Sequence, residues 1–282
     1  MLHPRTHPHP HRSRRTRRAT VTGALATLTT ALTTALVTAG TLPAAAAPRH
    51  GSDFAKSVHA RGKARVAAAV LDLDDPQHKP AIHGDGGPFD TASIVKVDIL
   101  AAALLRARDA GHGLSAAERD RAKAMIEHSD NAAASALWRS IGLAPGLKAA
   151  NKRLGLTETE GGSGTRWGLT RTTPGDQIRL LRAVFDDKPA ALDKTSRAYI
   201  RSLMGNVADE QSWGVSAAAG SDWALKNGWL QRNTTGLWDV NSVGRIDRGG
   251  HRYLVAVLSD GSTSMKDGVA LVERAARAAV AG

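Results

Sequence analysis

The chain has 282 residues, no cysteine and a formal net charge of +12, from 38 basic and 26 acidic side chains. Without cysteine it has no disulfides, thiolate nucleophile or cysteine-ligated zinc or iron–sulfur site. An apolar content of 42% in a chain of this length is enough for a sizeable core without cross-links.

The first 47 residues have the pattern of a secretory signal peptide. Six arginines and no acid fall within residues 1–18, an Ala/Thr/Leu/Val stretch covers residues 19–39, and alanines fill positions 44–47. A positive start, an apolar middle and an Ala-x-Ala-like end are typical of export signals. We expect cleavage near Ala46 or Ala47 and a secreted or cell-wall-associated mature chain from residue 48, with the export route open. The threonine-rich middle makes a stable membrane span the weaker interpretation.

Removal of this leader changes what the charge implies. Its six arginines account for half of the formal charge, which falls from +12 to +6. Outside the leader no basic cluster is interleaved with aromatic residues, so we expect no nucleic-acid partner. The histidines at positions 3, 7, 9 and 11 resemble a metal clip but lie in the segment to be removed. We expect no metal, no other cofactor and a monomer.

Strand patterns open the mature chain and helical patterns follow. Apolar runs at residues 65–73 and about 81–83 predict strands, after a short helix at residues 52–61. A long helix begins at or just before Ser93, and helical patterns continue to about residue 219. Residues 115–118 form a capping box, and Pro174 stands at the start of another helix.

Strand patterns return towards the end of the chain. They occupy residues 223–230, 237–246 and 251–258, and a helix covers residues 267–281. Strands at both ends with helices between them predict an α/β fold. We expect a sheet lobe from residues 48–90 and 220–282, and an inserted helical lobe over about 91–219. The cleft between two such lobes is the expected place for a site.

Ser93 and Lys96 stand three residues apart at the start of the long helix. Residues three apart share a helix face, so their side chains are predicted to meet in the first turn. A serine becomes a nucleophile when a base takes its proton, and a desolvated lysine is such a base. The structural alternative is a capping serine with a solvated lysine, although the apolar Ile94 and Val95 do not favour an exposed face.

A second motif, Ser129-Asp130-Asn131, lies between two helical runs. All three residue types are favoured helix caps, so a simple helix boundary is the structural alternative. In a site, Ser129 would relay a proton to a leaving nitrogen, and Asn131 would hold a substrate amide. Asp130 would then brace the turn.

A third motif, Lys226-Asn227-Gly228, lies inside a predicted strand and is followed by Trp229. Glycine in a strand costs stability and often marks the close approach of a ligand. Lys226 would then supply charge for a substrate carboxylate, and the main-chain N–H of Trp229 would point at an oxyanion. A bulge with a surface lysine is the structural alternative.

Together the three motifs resemble the S-x-x-K, S-D-N and K-T-G set of the class A β-lactamase and penicillin-binding-protein superfamily. The resemblance implies a five-stranded antiparallel sheet flanked by helices, with an all-helical lobe alongside. It also implies that Ser93 is the acylated nucleophile, Lys96 its base and Ser129 the proton shuttle. The N–H groups of Ser93 and Trp229 would form the oxyanion hole. The implied substrate-binding residues are Asn131, Lys226, Asn227, Gly228 and Trp229.

The sequence also departs from this family pattern. The interval between Lys96 and Ser129 is short for a class A enzyme, and Asn227 replaces a threonine or serine. Residues 156–173 lack the E-x-x-L-N motif, whose glutamate activates the deacylating water in class A enzymes. Glu158 and Glu160 lie nearby, but in a different sequence setting.

Three functions therefore stay open. The first is a secreted serine hydrolase that acts on β-lactams or related amides through an acyl-enzyme at Ser93. The second is a D-Ala-D-Ala peptidase or penicillin-binding enzyme that deacylates slowly. The third is a cell-wall binding module without turnover. The expected partner in each case is a small-molecule β-lactam or a peptidoglycan peptide.

Overall fold

A computed structural model describes residues 54–281, with the exception of residues 55, 78, 86 and 189. The predicted leader at residues 1–47 lies outside the described residues, and so does the start of the helix predicted at 52–61. Residues 56–58 of that helix are helical. Within the described part of the chain, no helix combines the length and the apolar character needed to cross a membrane.

A five-stranded antiparallel sheet is built from strands near both ends of the described chain. Its strands are β1 (Arg65–Asp72), β2 (Ala81–Gly84), β5 (Trp223–Gln231), β6 (Trp238–Arg248) and β7 (His251–Ser262). They are arranged in the order β2-β1-β7-β6-β5, which places β5 at an edge. The fold predicted from the resemblance is thereby confirmed. The short strands β3 (Phe89–Asp90) and β4 (Arg171–Thr172) form a separate antiparallel pair.

The sheet separates two hydrophobic cores, and β1 shows why. Successive side chains of a strand point to opposite faces. Ala67, Ala69 and Leu71 accordingly pack in the core that faces the helical lobe. Val66 and Val70 pack in the core on the other face. Because both faces are covered, the strand is apolar nearly throughout rather than alternating.

The helices between β3 and β5 form the helical lobe. They are α1 (Val95–Asp109), α2 (Ala116–Glu127), α3 (Asn131–Ser140), α4 (Leu143–Leu154), α5 (Pro174–Phe185) and α6 (Lys194–Gly205). Most of α1 is buried, including its polar residues Lys96 and Asp98. The predicted capping box of α2 is present, with Ser115 and Glu118 bonding reciprocally to each other's backbone N–H. The last helix, α7 (Met265–Ala281), packs on the opposite face of the sheet.

A buried asparagine ties the start of α1 to the sheet. Asn241, on β6, donates from Nδ2 to the carbonyl oxygens of Asp90 (2.9 Å) and Thr91 (3.1 Å). Its Oδ1 accepts a hydrogen bond from the Ser259 N–H at 3.0 Å. These bonds fix the chain just before Ser93 relative to β6 and β7. The segment that carries the predicted nucleophile is therefore positioned by the sheet as well as by the helix that follows.

Candidate active site

Ser93 lies in a 3-10 turn, Ala92–Ile94, that leads directly into α1. The sequence predicted an α-helix from Ser93 or just before it, whereas α1 begins at Val95. Ala92 has a φ of +46°, a left-handed conformation that costs a non-glycine residue roughly 1–2 kcal/mol. The Thr91 N–H donates to the Thr170 carbonyl at 2.8 Å and holds this turn in place. Ser93 itself is half-buried.

Edge strand β5 passes beside this turn at Gly228. A Cβ atom on Gly228 would lie 2.6 Å from the Ser93 nitrogen and 2.8 Å from both the Ile94 nitrogen and the Thr91 carbonyl oxygen. The sequence predicted that a ligand would approach closely at Gly228. In the structure, the turn that carries Ser93 (residues 92–94, here called the nucleophile turn) approaches it instead. The Ser93 amide and the backbone of Gly228 are therefore adjacent. Because β5 is an edge strand, some of its N–H groups point away from the sheet.

Lys96 has no exposed surface, and its amine contacts the second motif. Nζ donates to the Ser129 carbonyl at 2.7 Å, to Ser129 Oγ at 3.0 Å and to Asn131 Oδ1 at 2.8 Å. Burial lowers the pKa of Lys96 to about 7, and the nearby charge of Asp130 opposes the shift. The charged and neutral forms are therefore both populated near neutral pH.

This network suits both forms of the amine. An ammonium has three N–H donors, whereas a neutral amine has two donors and one lone pair. The Ser129 carbonyl and Asn131 Oδ1 can only accept, so they take two donors in either form. The Ser129 hydroxyl can accept from the ammonium or donate to the lone pair. A proton can therefore pass between Lys96 and Ser129 without leaving a buried group unsatisfied.

Lys96 faces Ser129 rather than Ser93. No hydrogen bond joins the Ser93 and Lys96 side chains among the described residues, although the sequence predicted that they meet in the first turn. Hydrogen bonds used in catalysis are often long or poorly aligned without substrate. The structure places Lys96 one turn beyond Ser93, at the inner end of the same site.

The second motif is a helix boundary, as its structural alternative required. Asp130 is the N-cap of α3, and its Oδ1 accepts from the Ala133 N–H at 2.6 Å. Ser129 has a φ of +55°, which turns the chain sharply before the cap. This turn directs the oxygens of Ser129 and Asn131 towards Lys96. The cap and the site geometry are therefore two results of the same local structure.

Lys226 is completely buried, so the alternative of a surface lysine on a bulge is wrong. The register between β5 and β6 runs unbroken through it. Its Nζ donates to the Asn227 carbonyl at 2.9 Å and to Gln211 Oε1 at 3.3 Å. Burial, together with repulsion from Lys96, holds the pKa of Lys226 well below its ordinary value.

Asn227 and Trp229 belong to the other face of β5. Asn227 Nδ2 donates to the carbonyls of Gln211 at 2.8 Å and Trp213 at 2.9 Å. The Trp229 ring packs against Trp213 with ring centroids 5.9 Å apart. The Asn227 amide donors, predicted for substrate, are thus already used to hold residues 211–213. For Trp229, the prediction concerns its backbone N–H rather than this ring.

The segment that lacks the expected glutamate places an indole beside Lys96. The ring centroid of Trp167 lies 4.9 Å from Lys96 Nζ, and Trp167 Nε1 donates to Ser135 Oγ at 3.1 Å. Trp167 is not among the site residues predicted from the sequence. The available signal was a single tryptophan in the segment where the family pattern called for a carboxylate.

The two nearby glutamates have other surroundings. Glu158 Oε2 accepts from Thr173 Oγ1 at 3.2 Å and lies 3.7 Å from Arg179. The backbone N–H and carbonyl of Glu160 both bond to the backbone of Arg171, each at 2.8 Å, and the Glu160 side chain is exposed. Glu158 therefore supports the start of α5, and Glu160 extends the β3–β4 pair.

Comparison with known proteins decides the family. Residues 108–282, which are more than half of the chain, match the model of the beta-lactamase enzyme family. The chain belongs to the beta-lactamase enzyme family. This match begins after Ser93 and Lys96, so the assignment of those two residues depends on the motif and on the geometry. No curated protein matches the chain.

Solved structures of β-lactamases and of a penicillin-binding protein share the fold. The TLA-1 extended-spectrum β-lactamase superposes with a TM-score of 0.69 at 16% identity, covering 82% of this chain and 98% of that one. PBP-A gives 0.67 at 20% identity, covering 80% and 92%. A β-lactamase from Xanthomonas campestris gives 0.64 at 22% identity, covering 80% and 94%. At these identities the likeness shows the fold alone. The family match over residues 108–282 confirms the superfamily predicted from the motifs.

One group of side chains in this β-lactamase-family protein has the composition of a metal site. Ligand atoms of Asp72, Asp74 and His251 lie within 4.8 Å of one another. His251 Nδ1 already bonds Asp72 Oδ2 at 2.7 Å, and Asp74 accepts from Arg252 at 2.8 Å. Surface pairing explains this group, and we assign no metal to it.

Proposed function

We propose that this protein is a serine hydrolase of the β-lactamase family that is acylated at Ser93 and releases the acyl group slowly. Its substrates are β-lactams or the related amides of peptidoglycan peptides. The observation that carries the proposal is the buried amine of Lys96, which has a lowered pKa and bonds to Ser129 and Asn131. A solvated structural lysine needs none of these features.

Acylation proceeds in two proton-coupled steps. Neutral Lys96 takes the Ser93 hydroxyl proton as Oγ attacks the substrate carbonyl and forms the C–O bond. The N–H groups of Ser93 and Trp229 stabilise the oxyanion. The C–N bond then breaks, Ser129 gives its proton to the departing nitrogen, and the Lys96 ammonium restores the proton to Ser129. The amine is neutral again when the ester has formed.

Lys226 contributes charge from beneath the site. Burial and repulsion from Lys96 hold its pKa well below the ordinary value. A substrate carboxylate brought beside it would favour the charged form, because an opposite charge stabilises the ammonium. This is the anchoring role that the family resemblance implies.

For deacylation, residues 156–173 lack the glutamate motif that would supply a comparable group. A general base that activates water typically contributes 10²–10⁴ in rate. From this segment it is Trp167 that lies beside Lys96. Glu158 instead bonds to Thr173 and pairs with Arg179. The acyl-enzyme should therefore persist.

Labelling and release of a penicillin test this function. The wild-type protein should gain one penicilloyl group on the peptide containing Ser93, and a chromogenic β-lactam should give a one-equivalent burst followed by a slow phase. Fast steady hydrolysis would instead indicate a true β-lactamase in which another group positions the water. A folded wild-type protein that acquires no label would support the binding-module alternative.

We further propose that the protein is exported and cleaved near Ala46 or Ala47. The arginine-rich start and the alanines at 44–47 support this. N-terminal sequencing of protein from culture fluid should give a start near Ala47 or Pro48. Recovery of only uncleaved chain in the cytoplasm would contradict it.

A further inference from the structure

We propose that Trp167 is a positioning residue for Lys96, with its indole covering the amine and holding it towards Ser129 and Asn131. This inference deepens the proposed function, because it concerns the base of the same site. Among the described residues, Trp167 makes no hydrogen bond to Ser93 or to a predicted substrate-binding residue. Its action is on Lys96.

The geometry brings the ring and the amine together. Lys96 Nζ lies 4.9 Å from the centroid of the Trp167 ring, within the range of a cation–π interaction. The amine has oxygen partners on Ser129 and Asn131 and an aromatic ring as a further neighbour. A lysine side chain is long and flexible, so such a neighbour restricts where its end can move.

The indole is itself fixed by the surrounding segment. Nε1 of Trp167 donates to Ser135 Oγ on α3 at 3.1 Å. Trp138, also on α3, donates from Nε1 to the Gly164 carbonyl at 2.8 Å. Two bonds from one helix therefore hold this segment and the ring. The ring is therefore held in place by the protein's own hydrogen bonds.

The segment also packs against the nucleophile turn. A Cβ added to Gly168 would lie 4.0 Å from Ala92 Cα, so the residue after Trp167 lies close to the residue before Ser93. The segment that carries the ring is therefore a neighbour of the turn that carries Ser93. A displaced ring would disturb the amine first.

The electrostatic consequence has a definite sign. Among the described residues, the titratable groups that act on Lys96 are Asp130, at the start of α3, and Lys226, on β5. Asp130 favours the ammonium, whereas Lys226 disfavours it. The negative face of the indole adds to the effect of Asp130 and opposes the effect of burial. Loss of the ring should therefore lower the Lys96 pKa further.

Two variants of similar size separate the ring from its volume. Trp167→Phe and Trp167→Leu both lose the bond to Ser135 and both leave a smaller side chain, but only phenylalanine keeps an aromatic face. The pKa of Lys96 would be measured by NMR titration of protein labelled with ¹³Cε-lysine, with Lys96→Met identifying the signal. We expect the leucine variant to titrate roughly half a pH unit or more below the phenylalanine variant. Equal midpoints, or the reverse order, would overturn the proposal.

Ser135→Ala provides a second route if the leucine variant does not fold. It keeps the indole but removes its anchor, so the Lys96 pKa should shift in the same direction by a smaller amount. An unchanged or raised midpoint in Ser135→Ala, relative to wild type, would show that the anchored indole does not act on Lys96.

The pH dependence of penicillin labelling separates this inference from the proposed function. If neutral Lys96 is the base, the midpoint of the labelling rate should follow the NMR midpoint in each variant. An NMR shift without a matching shift in labelling would leave the role of Trp167 intact and would contradict Lys96 as the base. Matching shifts would support both.

Discussion

The two segments that flank Lys96 differ in what their polar groups do. At the start of α3, Ser129 and Asn131 direct oxygen atoms at the amine. On the other side, residues 156–173 present the ring of Trp167, while Glu158 bonds to Thr173. The first segment suits proton transfer and the second suits packing. The comparison indicates that the groups for acylation and for deacylation are separable within one site of this fold.

The most severe test of this comparison replaces the nucleophile in one variant and a glutamate of residues 156–173 in another. Ser93→Ala should abolish covalent labelling by penicillin, because no other nucleophile is assigned. Glu158→Gln should leave both labelling and acyl-enzyme lifetime within about twofold, since the side chain is largely exposed and acts at the start of α5. Mass spectrometry of the intact protein over time measures both quantities. A longer lifetime in Glu158→Gln would show that this glutamate activates water and would break the comparison.

The base should have the next largest effect. Lys96→Ala should slow acylation by roughly 10²–10⁴, the contribution of a positioned general base. The pKa of Lys96 is lowered to about 7 and the base is the neutral amine, so the wild-type rate should rise with pH and level off above about 7. Stopped-flow measurement of labelling from pH 5 to 9 checks this. A rate that falls as pH rises through 7 would exclude the neutral amine as base.

Gly228→Ala tests the contact between β5 and the nucleophile turn. The added methyl group would lie 2.6 Å from the Ser93 nitrogen, so strand and turn must separate. A displacement of about 1 Å at a reacting centre commonly costs on the order of 10²-fold in rate. Labelling kinetics should show that loss, with circular dichroism confirming the fold. Wild-type kinetics in this variant would mean that β5 does not help to position Ser93.

Much of the fold was predictable from local patterns. The strands β5, β6 and β7, the capping box at Ser115 and the helix start at Pro174 all depend on short-range periodicity or capping chemistry. The sheet order depended instead on the family resemblance. Strand periodicity carries no information about which strands pair.

The site was less predictable, because its details depend on tertiary contacts. The 3-10 turn at Ser93 is imposed by hydrogen bonds to residues 170 and 241, which no local pattern reveals. Alternation places Lys226 and Asn227 on opposite faces of β5, yet the partner of Asn227 comes from residues 211 and 213. Trp167 matters through its position beside Lys96, and only the folded chain brings these residues together.

Asp98, a second buried titratable residue on α1, tests whether burial alone is enough to give a residue a catalytic role. Burial raises the pKa of Asp98 to about 7, with Asp176 adding to the shift and Asn151 opposing it. The native state then retains a proton that the unfolded state loses above about pH 4, so stability falls as pH rises from about 4 to 7. Asp98→Asn should remove this loss. The stability of the variant relative to wild type should therefore be about 2–4 kcal/mol more favourable at pH 8 than at pH 4. Urea unfolding at the two pH values measures the difference, and penicillin labelling should be unchanged. A large labelling defect would place Asp98 in the proton-transfer network and weaken the contrast with Lys96.

The smallest expected effect is at the residue before the nucleophile. Ala92 has a φ of +46°, which glycine adopts without steric cost. Ala92→Gly should relieve strain of roughly 1 kcal/mol, partly offset by the larger entropy of the unfolded chain, so unfolding should change by less than about 1 kcal/mol. The labelling rate is the informative measurement, because a more flexible turn no longer holds Ser93 beside Gly228. Slower labelling at equal or greater stability would show that the strained turn positions the nucleophile. If labelling is unchanged, the hydrogen bond from the Thr91 N–H to the Thr170 carbonyl is sufficient to fix the turn. Because Thr170 belongs to residues 156–173, this segment would then contribute to acylation through its backbone.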